Sequence, residues 1–344
     1  MMCVNILSRV SALLCIATLL YSCEPDRIKL GQQNAVWTET IFFRGHSPTT
    51  GFALTDADIR QYASTLKTNN IKYSYIFAGP YGSDGHLPAY AFSETAIRSV
   101  KKLQEYYPEI VILPWVGGIQ GKTVFLNDSS WVSNALNDSK ALVKTLGTPG
   151  IHIDFEYIIK GHEYLDSAVV KEIPGVSEQY GNYVNEFHKS LRTLLPDAFI
   201  SSVVVSTPPG TKHWKRKTTI PELETLVQYI DQISFLFYDT HINDRDDFIE
   251  SSNVLINDIK HLKSGDSGSR VQYLVAIGTF INAPALQDFR NMDIENIPNT
   301  LEVIKNSERS IGDTTAIIDG IAIYCNWQTS DDEWKEIRDN WTFY

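Results

Sequence analysis

Cysteine is scarce in this chain. Four occur in 344 residues, and Cys3 and Cys15 fall among the first 22. Removal of that leader leaves Cys23 and Cys325, too few for a disulfide framework. Basic charge is also short: 30 Lys and Arg stand against 41 Asp and Glu, a net charge of −11. That deficit argues against nucleic acid and against electrostatic docking on an anionic membrane. No GxGxxG follows an apolar run, so nothing points to a nucleotide fold. Low-complexity tracts and short repeat periods are missing, which argues against a solenoid. The apolar run Ser11 to Leu20 is of signal-peptide length and too short to span a bilayer comfortably.

What is there begins with that run. Arg9 supplies a thin positive flank, and Leu20-Tyr21-Ser22-Cys23 resembles a bacterial lipobox, cleaved before Cys23 and lipidated on its sulfur. The expected organisation is a signal peptide over 1–22, a lipidated cysteine and polar tether over 23–36, and one domain over 37–344. The protein is then exported to the bacterial cell envelope, on the outer membrane or cell surface, with membrane contact through the lipid alone. An ordinary signal peptide with a coincidental cysteine is the alternative.

With 43% hydrophobic and 21% charged residues the rest is globular. Apolar runs alternate with amphipathic stretches. The runs predict strands over Thr40–Gly45, Tyr73–Gly79, Ile110–Gly117, Gly150–Tyr157, Phe199–Thr207, Gln232–Asp239, Tyr273–Phe280 and Ile318–Trp327. Near-continuous apolarity is expected of parallel strands buried on both faces. The stretches between them predict helices over Thr55–Asn69, Glu94–Tyr107, Ser130–Leu146, Val176–Leu195, Ile220–Tyr229, Phe248–Leu262 and Thr300–Arg309. Eight strands with helical crossovers predict an α/β fold, a single-domain (β/α)8 TIM barrel after the signal peptide. A doubly wound open sheet is the structural rival.

Gly150-Ile151-His152-Ile153-Asp154-Phe155-Glu156 carries the most information. Strand side chains alternate, so His152, Asp154 and Glu156 share one face and Ile151, Ile153 and Phe155 the other. The acid pair is costly in a core unless it is hydrogen-bonded or used. Barrel enzymes place their chemistry at strand C-terminal ends, where Tyr238, Asp239, Asn326, Trp327, Gly117 and Gly118 also fall. The insertion after Glu156, from Ile158 to Gly175, is expected to overhang that face. Tyr90, Trp115 and Trp131 are candidates to extend a groove. The basic run Lys212 to Lys217 reads as a solvated loop.

These residues resemble glycoside hydrolase family 18, the chitinases and endo-β-N-acetylglucosaminidases. Pro149 to Glu156 matches the family's D-G-x-D-x-D-x-E pattern, with Pro149 and His152 replacing its first two Asp. Phe235-Leu236-Phe237-Tyr238-Asp239 resembles its Met-x-Tyr-Asp element, and Val111 to Gly118 its third strand with paired glycines. Phe77 belongs to the second-strand region, and Asn326-Trp327 ends the last strand. The resemblance implies catalysis by Glu156 as proton donor, with Asp154 and Tyr238 handling the substrate's 2-acetamido group. It implies substrate contacts by Trp327, Asp239, His152, Phe77, Gly117, Gly118 and Asn326. A histidine at 152 is expected to bond Asp154 and, if protonated, to fix it as an anion. No cofactor and no catalytic metal are expected. The implied activity is retaining hydrolysis of β-linked N-acetylglucosamine glycans, of chitin type or from an N-glycan core, with glycan-uptake proteins as partners. A non-catalytic glycan-binding barrel and a peptidoglycan hydrolase are the alternatives.

Overall fold

The computed structural model describes residues 32–48, 50–156, 176–205, 218–240, 242–279, 290–311 and 316–342. The leader with Cys23, the insertion after Glu156 and the basic run lie outside the described residues. Eight parallel strands close into a barrel in sequence order: β1 (Ala35–Thr38), β2 (Tyr73–Pro80), β3 (Val111–Ile119), β4 (Gly150–Glu156), β5 (Phe199–Val205), β6 (Gln232–Leu236), β7 (Gln272–Gly278) and β8 (Gly320–Tyr324). Each strand is followed by a helix: α1 (Asp56–Thr68), α2 (Glu94–Tyr106), α3 (Ser129–Leu146), α4 (Val176–Leu194), α5 (Ile220–Leu226), α6 (Arg245–Ser264), α7 (Ile297–Ser310) and α8 (Asp331–Ile337). The expected (β/α)8 TIM barrel is what forms.

One strand differs from expectation. Thr40–Gly45 does not enter the sheet; Ile41–Arg44 is a single helical turn closed by Gly45, whose N–H donates to the Ile41 carbonyl. The first strand is Ala35–Thr38 instead, all four residues buried, so the barrel begins inside the stretch assigned to the tether. The physical reason is burial on two sides. Val36 packs outward and Trp37 inward, while Phe42 and Phe43 fill only the outer layer. Strands six and eight also end earlier than predicted. Tyr238, Asp239, Asn326 and Trp327 therefore stand on the turns just beyond β6 and β8.

Helix starts follow local chemistry. Thr55 and Asp58 form a reciprocal capping box at α1, and Asp128 accepts from Ser130 and Trp131 at the start of α3. Ser330 with Glu333 does the same at α8, a helix whose capping signature is visible in the sequence but was not anticipated.

Side chains sort into two apolar cores. Ile151, Ile153 and Phe155 join the larger one, between sheet and helices. A smaller one fills the barrel, with Trp37, Tyr75 and Leu113 beside the small residues Ala35, Ala276 and Ala322. A repeated ionic device closes the N-terminal end. Asp231, just before β6, accepts the Ile200 N–H of β5, and Asp319, just before β8, accepts the Tyr273 N–H of β7. A cation from a helix holds each: Arg192 at 2.5 Å and Lys263 at 2.9 Å.

Arg192 also donates to the Tyr229, Pro196 and Ala198 carbonyls, tying α4 to the entries of β5 and β6. Arg192→Met is expected to cost about 2–4 kcal/mol in urea unfolding, because it strands several acceptors at once. Lys102→Met breaks an exposed, water-screened pair with Asp56 and is expected to cost far less than Arg192→Met. Equal losses in the two variants would contradict that ranking.

Candidate active site

The alternation of β4 places the acid pair. With Ile151, Ile153 and Phe155 committed to the outer core, His152, Asp154 and Glu156 point into the barrel. They rise in that order toward its C-terminal mouth. His152 is fully buried, Asp154 nearly so, and Glu156 partly exposed at the strand's end.

His152 does not serve Asp154. Its Nε2 lies 3.1 Å from Trp37 Nε1, and its Nδ1 lies 2.8 Å from Ser201 Oγ. An indole N–H only donates, so Nε2 must accept and the proton sits on Nδ1. That proton goes to Ser201, whose hydroxyl donates to Gln232 Oε1. Tyr75 also donates to Gln232, and the Tyr75 ring stacks on the imidazole at 3.7 Å between centroids. Burial depresses the His152 pKa, so the ring is neutral. The expected His152–Asp154 bond and anion-fixing cation are thus absent. Both ring nitrogens are spent on a belt of hydrogen bonds across the barrel waist, below any open cleft.

Asp154 is held from β3 instead. Trp115 Nε1 donates to its Oδ2 at 2.9 Å, and its buried Oδ1 has no hydrogen-bond partner among the described residues. Burial raises the Asp154 pKa well above the carboxylate range, the neighbouring Glu156 adds to this, and the Trp115 bond opposes it. Burial pushes Glu156 up to about 7. Both acids are thus pushed toward their protonated forms, and the pair retains a proton near neutral pH.

Aromatic rings surround the pair. The Tyr238 and Tyr324 rings lie parallel with centroids 5.4 Å apart. Trp327 meets Tyr324 edge-on at 5.7 Å and is 37% exposed, an open indole at the rim. Phe77 packs on Trp115 at 4.4 Å. The Tyr238 hydroxyl is pushed up by burial and then by the nearby Tyr324, Glu156, Asp154 and Asp239.

The other predicted residues fall around this centre in different ways. Asp239 takes a left-handed backbone conformation (φ 52°), and its carboxylate faces Arg290 at 3.3 Å. Burial nonetheless pushes it up to about 7. Glu295 clamps the same turn, accepting from the Asp239 and Thr240 N–H groups at 2.6 and 2.9 Å. Asn326 is half-buried, and its N–H donates to the Trp37 carbonyl. Close packing leaves no room for a side chain at either of the paired glycines. A Cβ on Gly117 would stand 1.8 Å from the Asp154 carbonyl oxygen, and one on Gly118 2.2 Å from Thr123 Oγ1. Trp131 is core, its indole donating to the Gly82 carbonyl. Tyr90 lies beneath the Arg44 guanidinium, 3.9 Å from its ring centre.

Tyr324, Arg290 and Glu295 were not anticipated as parts of the site, and Trp115 was expected to extend a groove rather than to hold Asp154. Tyr324 was findable, because it shares the inward parity of Ala322 on β8. The contact of Trp115 with Asp154 depends on strand register. The Arg290 and Glu295 contacts cross about fifty residues of sequence.

No protein-family model matches the chain, and no curated protein matches it. Solved structures do. The barrel is similar to a chitinase from Rhizomucor miehei (11% identity, TM-score 0.55, covering 89% of this chain and 99% of that one). It is similar to the catalytic domain of a family GH18 chitinase from the fern Peteris ryukyuensis (13%, TM-score 0.52, 90% and 98%). It is also similar to the spore cortex-lytic enzyme SleL of Bacillus megaterium (12%, TM-score 0.52, 92% and 75%). At these identities the likeness is one of fold: this chain has a GH18 chitinase-like barrel.

A carboxyl whose folded pKa is raised stabilises the protein fully below its unfolded value and loses that contribution as pH rises through the folded value. For Glu156 the window runs from about 4.5 to about 7. Glu156→Gln removes the titration, so its melting temperature relative to the unmodified protein is expected to be higher at pH 8 than at pH 4. A difference that does not change with pH would place the Glu156 proton at an ordinary carboxylate value.

Proposed function

We propose that this protein is a retaining glycoside hydrolase that cleaves β-linked N-acetylglucosamine glycans with help from the substrate's own acetamido group. The observation that carries the reading is the buried acid pair on β4, with Glu156 pushed up to about 7 at the mouth of the barrel. Cleaving a glycosidic bond requires a proton for the leaving oxygen and stabilisation of an oxocarbenium-like charge. Glu156, still protonated near neutral pH, donates to the glycosidic oxygen. The acetamido oxygen attacks the anomeric carbon as that bond breaks, and a cyclic oxazolinium ion forms. Asp154 accepts the acetamido N–H through its open oxygen and balances the ring cation. Tyr238 donates to the acetamido oxygen. Water then opens the ring and returns a proton to Glu156, and two displacements retain the anomeric configuration. The exposed face of Trp327 carries the apolar side of the sugar.

Chitin-type oligomers and the chitobiose core of N-linked glycans are the substrates proposed. Lipidation at Cys23 places the enzyme in the cell envelope, where it trims glycans captured by uptake proteins. The chitinases among the structural neighbours support the substrate class, and because a spore cortex-lytic enzyme stands beside them, peptidoglycan stays among the substrates to be tested.

A panel of chitooligosaccharides, N-glycans and muropeptides, read by mass and by the anomer first released, tests this. Release of the β-anomer from one of the N-acetylglucosamine polymers is expected. Glu156→Gln should then lower turnover about 10²–10⁴-fold while glycan affinity persists. Glycan affinity with no turnover by the unmodified protein would mark a binding barrel instead.

A further inference from the structure

Among the described residues, Asp154 is a buried carboxyl with one oxygen engaged by a single donor and the other without a partner. The register explains which one. Gly117 is the β3 partner of Asp154 and contributes no side chain. Trp115, two residues back on the same inward face, is the partner of His152. From there its indole N–H reaches Oδ2 of Asp154 at 2.9 Å. The ring is itself wedged, with Phe77 on one side at 4.4 Å and Tyr324 edge-on at 6.4 Å. His152 cannot compete for Asp154, because both of its nitrogens are committed to Trp37 and Ser201.

We propose that Trp115 is a positioning residue for the hydrolysis: its indole N–H fixes the Asp154 carboxylate so that Oδ1 faces the substrate's amide. This rests on the hydrolase reading above. A rigid aromatic donor suits the role. It holds one oxygen without adding a charge to the site, and the wedge prevents the carboxylate from turning toward the waist. A bond to the ionised form also favours that form, so Trp115 opposes the rise that burial imposes on Asp154. Among the described residues, the other titratable groups near this centre are Tyr238 and Asp239 beyond β6 and Tyr324 on β8.

Two readouts test it. The first is the indole N–H resonance of Trp115, identified by its loss in Trp115→Phe and followed with pH. It should shift as the acid pair titrates and stay still in Asp154→Asn. The second replaces Trp115 by 3-benzothienylalanine, which keeps the shape and loses only the N–H, with Trp115→Phe as a parallel variant. Both should fold with a near-UV spectrum like the parent. In both, kcat should fall about 10- to 100-fold with little change in KM, the loss expected for a bond to a charged group. The acid limb of kcat should move to higher pH, because Asp154 then takes up its proton more readily. A resonance indifferent to pH, or an unchanged kcat and acid limb, overturns the proposal. If no glycan is cleaved, the hydrolase reading fails by itself and the resonance alone decides whether Trp115 holds Asp154.

Discussion

Two carboxylates two residues apart on one strand face cannot both be ionised cheaply inside a barrel. The rest of the centre is arranged around that constraint. Ionising both places like charges a few ångströms apart in a poorly solvated site, so one proton is retained. Burial raises both members, the Glu156 charge raises Asp154 further, and the Trp115 bond on Asp154 opposes that rise. The retained proton belongs to the pair, and Glu156 is its member nearer the mouth. A strand that buries three apolar residues outward is what makes this asymmetry possible, because it fixes the inward set without freedom to turn away.

Below the pair the barrel is polar but closed. Trp37, His152, Ser201, Gln232 and Tyr75 satisfy one another, so a histidine can sit in the waist without charge. Satisfied networks of this kind cost little, whereas a lone buried imidazolium would be expensive. Above the pair the rings of Tyr238, Tyr324 and Trp327 form an apolar rim. The Glu295 clamp and the Arg290 guanidinium hold the turn that presents Tyr238.

Much of this was legible because it follows from period and local capping. Alternation over 150–156 assigned inward and outward faces correctly, and the helix starts at Thr55 and Asp128 follow side chains that cap their own backbone. The first strand was misplaced because Ile41, Phe42 and Phe43 look like a strand when only local apolarity is weighed. Whether a residue is buried on one side or two is a property of the closed barrel. The partners of His152 were misjudged for a related reason. Nearness along β4 suggested Asp154, but the imidazole reaches across the barrel to Trp37 and to the next strand. Trp115 was assigned to a groove because the missing side chain at Gly117 matters only once β3 and β4 are in register.

The central claim is that Asp154 and Glu156 share one proton that persists to neutral pH. The most direct measurement is the titration of their side-chain carboxyl carbons by ¹³C NMR, assigned with Asp154→Asn and Glu156→Gln. Two coupled steps are predicted, the last proton leaving near pH 7 with its larger shift change on Glu156. Two independent steps near the ordinary carboxylate value of about 4 would contradict it.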